Sequence, residues 1–187
     1  MTGEPLDLLG RLGLTAPGQV AILVVATGAF LAAPDVDLLL LRLLHHRSIL
    51  THSILLPVLV WWWGRELGPA AAAGAFLGVA IHLSADLLSP ARGFGQVWLP
   101  EPFQVPLGGW SHLWIVGNAL LASFFAVAVL PPGEGWRLLA LGAGVVAAVG
   151  YGTLNERSVL AVIVALLVVA AGQGAERWLH PGQAGGL

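Results

Sequence analysis

Six long apolar stretches restrict this chain more than any other feature of its sequence. At a helical rise of about 1.5 Å per residue, about 20 residues cross the ~30 Å hydrocarbon core of a bilayer. With 57% hydrophobic and 10% charged residues among 187, the chain is more apolar than a soluble domain of this size. We therefore predict an all-α, polytopic integral membrane protein with about six transmembrane helices. The stretches are 18–33, 49–63, 69–89, 112–131, 136–151 and 158–174.

No internal repeat or linker divides the chain, so residues 1–187 are predicted to form a single transmembrane domain. The first two stretches are short, and one or both are expected to be tilted or half-buried. Two connections are long, 34–48 and 90–111, and long loops often carry function. Arginines are divided evenly between the two sets of loops, so they do not determine the orientation in the membrane.

Charge and cysteine content exclude several classes of function. The chain has no lysine and a net charge of −2, so it lacks the basic surface that binds nucleic acid. It also has no cysteine, which excludes disulfides, iron–sulfur clusters and thiolate zinc sites. The expected partners are membrane lipids, and any metal must be bound by imidazole and carboxylate groups.

Residues that can bind a metal are concentrated between positions 35 and 86, which hold three of the four aspartates and four of the six histidines. If the first three stretches cross the membrane alternately, these residues meet at one membrane face. His82 and Asp86 are one helical turn apart, the spacing that two ligands of one metal need. His45 and His112 are additional candidates, although His112 could simply begin the fourth helix. The principal candidate ligands are Asp35, Asp37, His46, His52, His82 and Asp86.

This set of side chains predicts metal-assisted hydrolysis. Unpaired ionisable groups within apolar helices cost several kcal/mol, and one divalent cation pairs with several of them at once. Imidazole and carboxylate suit zinc, with manganese or iron as alternatives, and an open coordination position would make hydroxide available near neutral pH. Arg47 and Asp86 are the candidate catalytic residues. Arg47 could clamp two oxygens of a phosphate or another anion, and Asp86 would hold the ion that activates water.

Each part of this set also has a purely structural interpretation. Asp35 and Asp37 could cap a helix or solvate a loop. The His-His-Arg run at 45–47 could form a polar patch near lipid head groups. His82 and Asp86 could form an ion pair between helices.

Glycines in the second and third stretches predict close packing between helices. Gly74 and Gly78 are four residues apart and so lie on one helix face, and Gly64 follows the second stretch. Because glycine lets two helix backbones approach closely, we expect helix contacts at these three positions.

In order and spacing, the polar motifs resemble a family of membrane-bound metal-dependent hydrolases, typified by a LexA-binding, inner-membrane-associated hydrolase of bacteria. The resemblance covers about residues 18–110. It implies a multi-pass protein of the cell inner membrane, with the six principal candidates as metal ligands or their immediate neighbours and with Arg47 facing a substrate. The motifs are Pro34-Asp35-Val36-Asp37, His46-Arg47, Thr51-His52-Ser53, and His82 with Asp86 followed by Pro90.

One position departs from the family's pattern. Family members often have a histidine in the first helix, where this chain has Gln19. One ligand would then be missing, or would be supplied by His45 or His112. The family is also distantly similar to zinc-dependent phospholipases, which implies a lipid or phosphodiester substrate.

The predicted function is therefore that of a metal-dependent hydrolase of a lipid or a lipid-linked ester or phosphodiester. A first alternative is an ion or proton transporter that uses the same histidines and aspartates. It predicts acidic residues or histidines deep in the later helices, and residues 113–130 and 138–154 contain none. A second alternative is a non-catalytic membrane scaffold or regulator with a structural metal or none. The glutamine at position 19, in place of the family's histidine, favours this alternative.

Overall fold

The computed structural model describes residues 16–88 and 95–180, and every regular element within these ranges is helical. This confirms the predicted all-α class. Besides the α-helices there are 3₁₀ helices at Ala33–Leu40 and Arg65–Leu67 and a π-helical turn at Tyr151–Asn155. The α-helices are α1 (Ala16–Phe30), α2 (Leu41–Leu44), α3 (Leu55–Trp63), α4 (Pro69–Asp86), α5 (Trp110–Ala128), α6 (Glu134–Gly150) and α7 (Val159–Leu179).

Five helical segments of the described chain are long and apolar enough to cross a membrane, as a membrane protein requires. The sequence predicted about six. The difference lies in the stretch 49–63, where α3 has only nine residues and is about 14 Å long. The residues before it form turns that carry polar side chains instead of extending the helix. The five segments are Pro17–Leu44, Pro69–Asp86, Trp110–Ala128, Glu134–Asn155 and Val159–Leu179.

The segment after α1 also differs from its prediction as a long loop. Pro34 lies in the first turn of the 3₁₀ helix Ala33–Leu40, where its missing N–H group is not needed. The helix then continues into α2. The apolar run of leucines supports this extension, and Leu39 and Leu43 are exposed on its surface. The connection is therefore largely helical, and it places Asp35 and Asp37 at defined positions. Of the second predicted loop, residues 95–109 are irregular and residues 89–94 lie outside the described residues.

Helix α4 is the centre of the fold, because every residue from Ala70 to Asp86 is buried. Its small residues allow α1 to pack closely against it. A Cβ atom at Gly74 would lie 2.4 Å from the Leu23 carbonyl oxygen, and one at Gly78 would lie 2.5 Å from that of Thr27. These contacts confirm two of the three glycine predictions.

The prediction for Gly64 is wrong. A Cβ atom there would meet the Val60 carbonyl oxygen of its own helix at 2.6 Å. Its backbone N–H donates to that same oxygen at 2.7 Å. Gly64 therefore ends α3 and does not bring two helices together.

We expect Gly74→Leu to lower the free energy of unfolding by about 1–3 kcal/mol, because the new side chain would collide with the backbone of α1. Gly117→Leu is the matched control, since a Cβ atom at Gly117 on α5 has nothing within 4 Å. Thermal unfolding of the detergent-solubilised variants, followed by size-exclusion chromatography, measures the difference. Equal midpoints for the two variants would contradict close packing of α1 on α4.

Candidate metal centre

Four side chains converge at the C-terminal end of α4: Asp35, His52, His82 and Asp86, here called the convergent cluster. The Nε2 atoms of His52 and His82 are 3.4 Å apart. Asp86 Oδ2 lies 3.1 Å from the first and 3.4 Å from the second. Two ligands of a tetrahedral zinc ion, each about 2.0–2.1 Å from the metal, are separated by about 3.3 Å. The spacing of these three atoms therefore fits a single ion.

The members of the cluster come from three separate parts of the chain. His82 and Asp86 lie one turn apart on α4, His52 lies in the turns before α3, and Asp35 lies on the 3₁₀ helix after α1. Asp35 Oδ1 is 3.9 Å from His82 Nε2, so this carboxylate is at the edge of the cluster. The fold thus brings the two polar regions of the sequence together at one end of α4, as the alternating topology predicts.

Hydrogen bonds on the outer side of His82 orient its ring towards the cluster. Its Nδ1 lies 2.8 Å from the Leu31 carbonyl oxygen, an acceptor to which only a protonated nitrogen can donate. The Tyr151 hydroxyl is 3.0 Å from the same nitrogen. Because Nδ1 carries the proton in the neutral ring, the lone pair of Nε2 faces the cluster, the arrangement usual for a metal-binding histidine.

Asp37 orients His52 in the same way. Its Oδ2 atom lies 3.2 Å from His52 Nδ1 and also accepts hydrogen bonds from Thr51 Oγ1 at 2.7 Å and from the Ser48 backbone N–H at 3.0 Å. Asp37 is fully buried. Asp37 therefore occupies the place of the carboxylate that commonly lies behind a zinc-binding histidine.

His46 forms a second group with two of the aspartates. Its Nδ1 is 3.3 Å from Asp37 Oδ1, and ligand atoms of Asp35, Asp37 and His46 lie within 4.8 Å of one another. Ligand atoms of Asp35, His52 and His82 also lie within 4.8 Å of one another. Asp35 is thus common to two groups that could hold a metal ion.

Arg47 is completely buried, and its Nη2 donates to Asp86 Oδ1 at 2.9 Å. The sequence predicted that this side chain faces a substrate, but the structure directs it to a carboxylate, so that Asp86 Oδ2 is left to face the two histidines. Asp35, Asp37 and Asp86 together carry three negative charges against the single charge of Arg47. A bound divalent cation or, in part, protonation of His52 would offset the difference.

The pKa of His52 reflects the same electrostatics. Burial favours the neutral ring and lowers this pKa, but hydrogen bonds to Asp37 and Asp86 outweigh burial and raise it above its ordinary value. The two carboxylates thus favour positive charge at His52. A metal ion on Nε2 would be stabilised by the same interaction.

Three other residues considered from the sequence lie away from the convergent cluster. The His45 ring stacks on Trp98 with centroids 4.1 Å apart. His112 is exposed on α5. Gln19 lies near the opposite end of α4, where its Oε1 accepts a hydrogen bond from the Ala70 backbone N–H at 3.2 Å. The glutamine therefore stabilises the first turn of α4 and is not in the position of a metal ligand.

Three residues that the sequence did not predict as part of the site support the backbone and side chains of the cluster. Trp114 Nε1 donates to the His52 carbonyl oxygen at 3.0 Å, and Asn118 Oδ1 accepts from the Ile54 backbone N–H at 3.0 Å. With Tyr151, these residues come from the later helices, which the sequence analysis treated only as apolar spans. Only the positions of these residues in the sequence could have indicated this role. Trp114 and Asn118 are one helical turn apart, and Tyr151 ends a predicted span on the side of the cluster.

No protein-family model, curated protein or solved structure matches the chain. The resemblance drawn from the motifs therefore stays an expectation from those residues. Fold and site define the class: a helical protein with five potential membrane spans in residues 16–88 and 95–180 and a largely buried group of histidines and aspartates that could hold a metal ion.

We expect His82→Ala to abolish stoichiometric zinc binding at the convergent cluster and Asp37→Asn to weaken it by about 10–100-fold, because at this cluster Asp37 orients a ligand and does not contact the ion itself. His112→Ala is the control and should bind zinc like the parent. Elemental mass spectrometry of protein purified in detergent, with chelator competition for affinity, measures these effects. Complete loss of zinc in Asp37→Asn would contradict this role and make Asp37 a direct ligand.

Proposed function

We propose that this protein is a membrane-embedded, metal-dependent hydrolase that cleaves an ester or phosphodiester bond of a lipid or lipid-linked substrate. The observation that carries the proposal is the convergence of His52 Nε2, His82 Nε2 and Asp86 Oδ2 within 3.1–3.4 Å of one another. Two imidazole nitrogens and a carboxylate oxygen this close together repel each other unless a proton or a metal ion lies between them.

The donor set favours zinc, with manganese or iron as alternatives. Two neutral imidazoles with one carboxylate form a common catalytic zinc site, in which the fourth position binds water. When bound, zinc lowers the pKa of that water towards neutrality. Hydroxide from that water would add to the carbonyl carbon or phosphorus, the ester bond would break, and the departing alcohol would take up the proton that the water lost.

The position of Asp35 supports a catalytic site over a closed structural one. Its Oδ1 lies 3.9 Å from His82 Nε2, farther than the other donors lie from each other. Its side chain is 26% exposed, whereas those of His52 and His82 are at most 1% exposed. Although Oδ1 itself is buried, three close donors with a more distant carboxylate leave one coordination position for water or substrate.

Within this proposal Arg47 is a positioning residue. Its guanidinium holds Asp86 Oδ1, which fixes the second carboxylate oxygen beside the two histidines. The hydrogen bonds from His82 to Leu31 and from His52 to Asp37 have the same effect on the rings. The chain therefore supplies a preorganised site whose donors need little rearrangement to bind an ion.

The two alternatives from the sequence predict different arrangements. A proton or ion path needs ionisable groups between the two faces, but α1, residues 69–81 of α4, residues 113–128 of α5 and residues 138–150 of α6 contain none. A scaffold with a structural metal needs a closed, four-ligand shell. Metal binding without turnover would support this second alternative.

We expect the zinc-loaded protein in phospholipid vesicles to release product from a fluorogenic phospholipid or lipid-linked phosphodiester. Removing the metal with a chelator should lower the rate by more than about 100-fold, and added zinc should restore it, because the metal supplies the nucleophile. His82→Ala should stay inactive after zinc is added, whereas His112→Ala should match the parent. Absence of bound zinc, manganese or iron in the parent after reconstitution would overturn the proposal.

A further inference from the structure

A large apolar groove runs between α1 and α6 and encloses about 750 Å³, within the range of small-molecule sites. Val20, Val24 and Leu31 line one wall, and Gly142 and Ala147 belong to the other. The hydroxyl of Thr27, a further lining residue, donates to the Leu23 carbonyl oxygen at 2.8 Å. The hydrogen of this hydroxyl is therefore used within α1, and the groove presents a mainly hydrocarbon surface.

The length of the groove matches one leaflet of a bilayer. From Val20 to Leu31 a helix rises about 16 Å, roughly half of the ~30 Å hydrocarbon core. The groove is thus long enough to hold the hydrocarbon chain of a lipid in one leaflet.

One end of the groove adjoins the convergent cluster. Leu31 lines that end, and its carbonyl oxygen lies 2.8 Å from His82 Nδ1. Ala147, on the opposite wall, is one turn before Tyr151, whose hydroxyl is 3.0 Å from the same nitrogen. Asp35, the most exposed member of the cluster, follows Leu31 by about one turn. A molecule in the groove therefore has its end on the Nδ1 side of His82, about one turn of chain before Asp35.

We infer that this groove holds one hydrocarbon chain of the substrate, which is a membrane lipid with its ester or phosphodiester group at the convergent cluster. The inference rests on the proposed function and specifies its substrate class. The chain lies with its ester end beside Leu31 and its terminal carbons towards Val20. Binding of the chain positions the ester bond at the site, and a substrate without a chain lacks this contribution to binding.

Photolabelling in lipid nanodiscs tests the orientation of the bound chain. Two phosphatidylglycerol probes are used, one with a diazirine at the end of an acyl chain and one with it beside the ester. The terminal probe should label the Val20 end of the groove, and the ester-proximal probe should label the Leu31 end. Reversed labelling, or equal labelling of every lipid-facing helix, would overturn the inference.

Two glycines of the groove allow it to be blocked without disturbing the cluster. Cβ atoms at Gly28 and Gly142 would have nothing within 4 Å, so a phenylalanine at either position enters the open groove. We expect Gly28→Phe and Gly142→Phe to lower both groove labelling and lipid hydrolysis by roughly tenfold or more. Gly117→Phe, on α5 and equally free of contacts, is the matched control and should behave like the parent.

Zinc content, measured on the same samples, separates the two proposals. Blocked variants that keep zinc but lose labelling and turnover support the groove as the substrate site. If they keep turnover, the groove inference fails while the hydrolase proposal stands. If the parent shows oriented labelling but no metal-dependent turnover of any probe, the hydrolase proposal fails, and the groove is only a lipid-binding surface.

Discussion

The burial of His82 and Asp86 at the end of a fully enclosed helix is the constraint on which this structure depends. An ionised carboxylate in such surroundings is strongly destabilising unless it is paired, and Arg47 pairs with Asp86 at 2.9 Å. To reach that position, the backbone of Arg47 adopts a φ of 58°, and His45 has a φ of 63°. Left-handed conformations at such residues cost about 1–3 kcal/mol each. The polar interactions at the end of α4 offset this strain.

Helix α1 contacts its two neighbours in opposite ways, and the proposed function depends on the difference. Towards α4 the packing is so close that a Cβ atom at Gly78 would lie 2.5 Å from the Thr27 carbonyl oxygen. Towards α6 the same helix leaves a groove of about 750 Å³. Close packing fixes the Leu31 carbonyl oxygen against His82, while the open side forms the groove that we infer to hold a hydrocarbon chain. A single helix thus supports both the cluster and the groove.

The three aspartates of the site make different contacts, which residue type alone does not predict. Asp86 and Asp35 face the proposed ion, whereas Asp37 holds His52 through its Nδ1. All three were candidate ligands in the sequence. Their spacing along the chain indicates that the groups lie near each other, but it does not indicate which atoms are in contact. Arg47 shows the same limit, since its spacing in the sequence did not reveal the ion pair with Asp86. Gln19, which stands where a ligand was expected, lies near the other end of α4.

The sequence by itself determined the all-helical class, the approximate positions of the long apolar helices, the close contacts at Gly74 and Gly78, and the set of histidines and aspartates that come together. These follow from hydrophobicity, length and helical period, which are properties of neighbouring residues along the chain. Only the tertiary structure decided that 49–63 is not a full span, that Asp37 lies behind His52, and that Tyr151, Trp114 and Asn118 support the site. These depend on distances between residues up to 69 positions apart in the chain, and packing alone sets such distances.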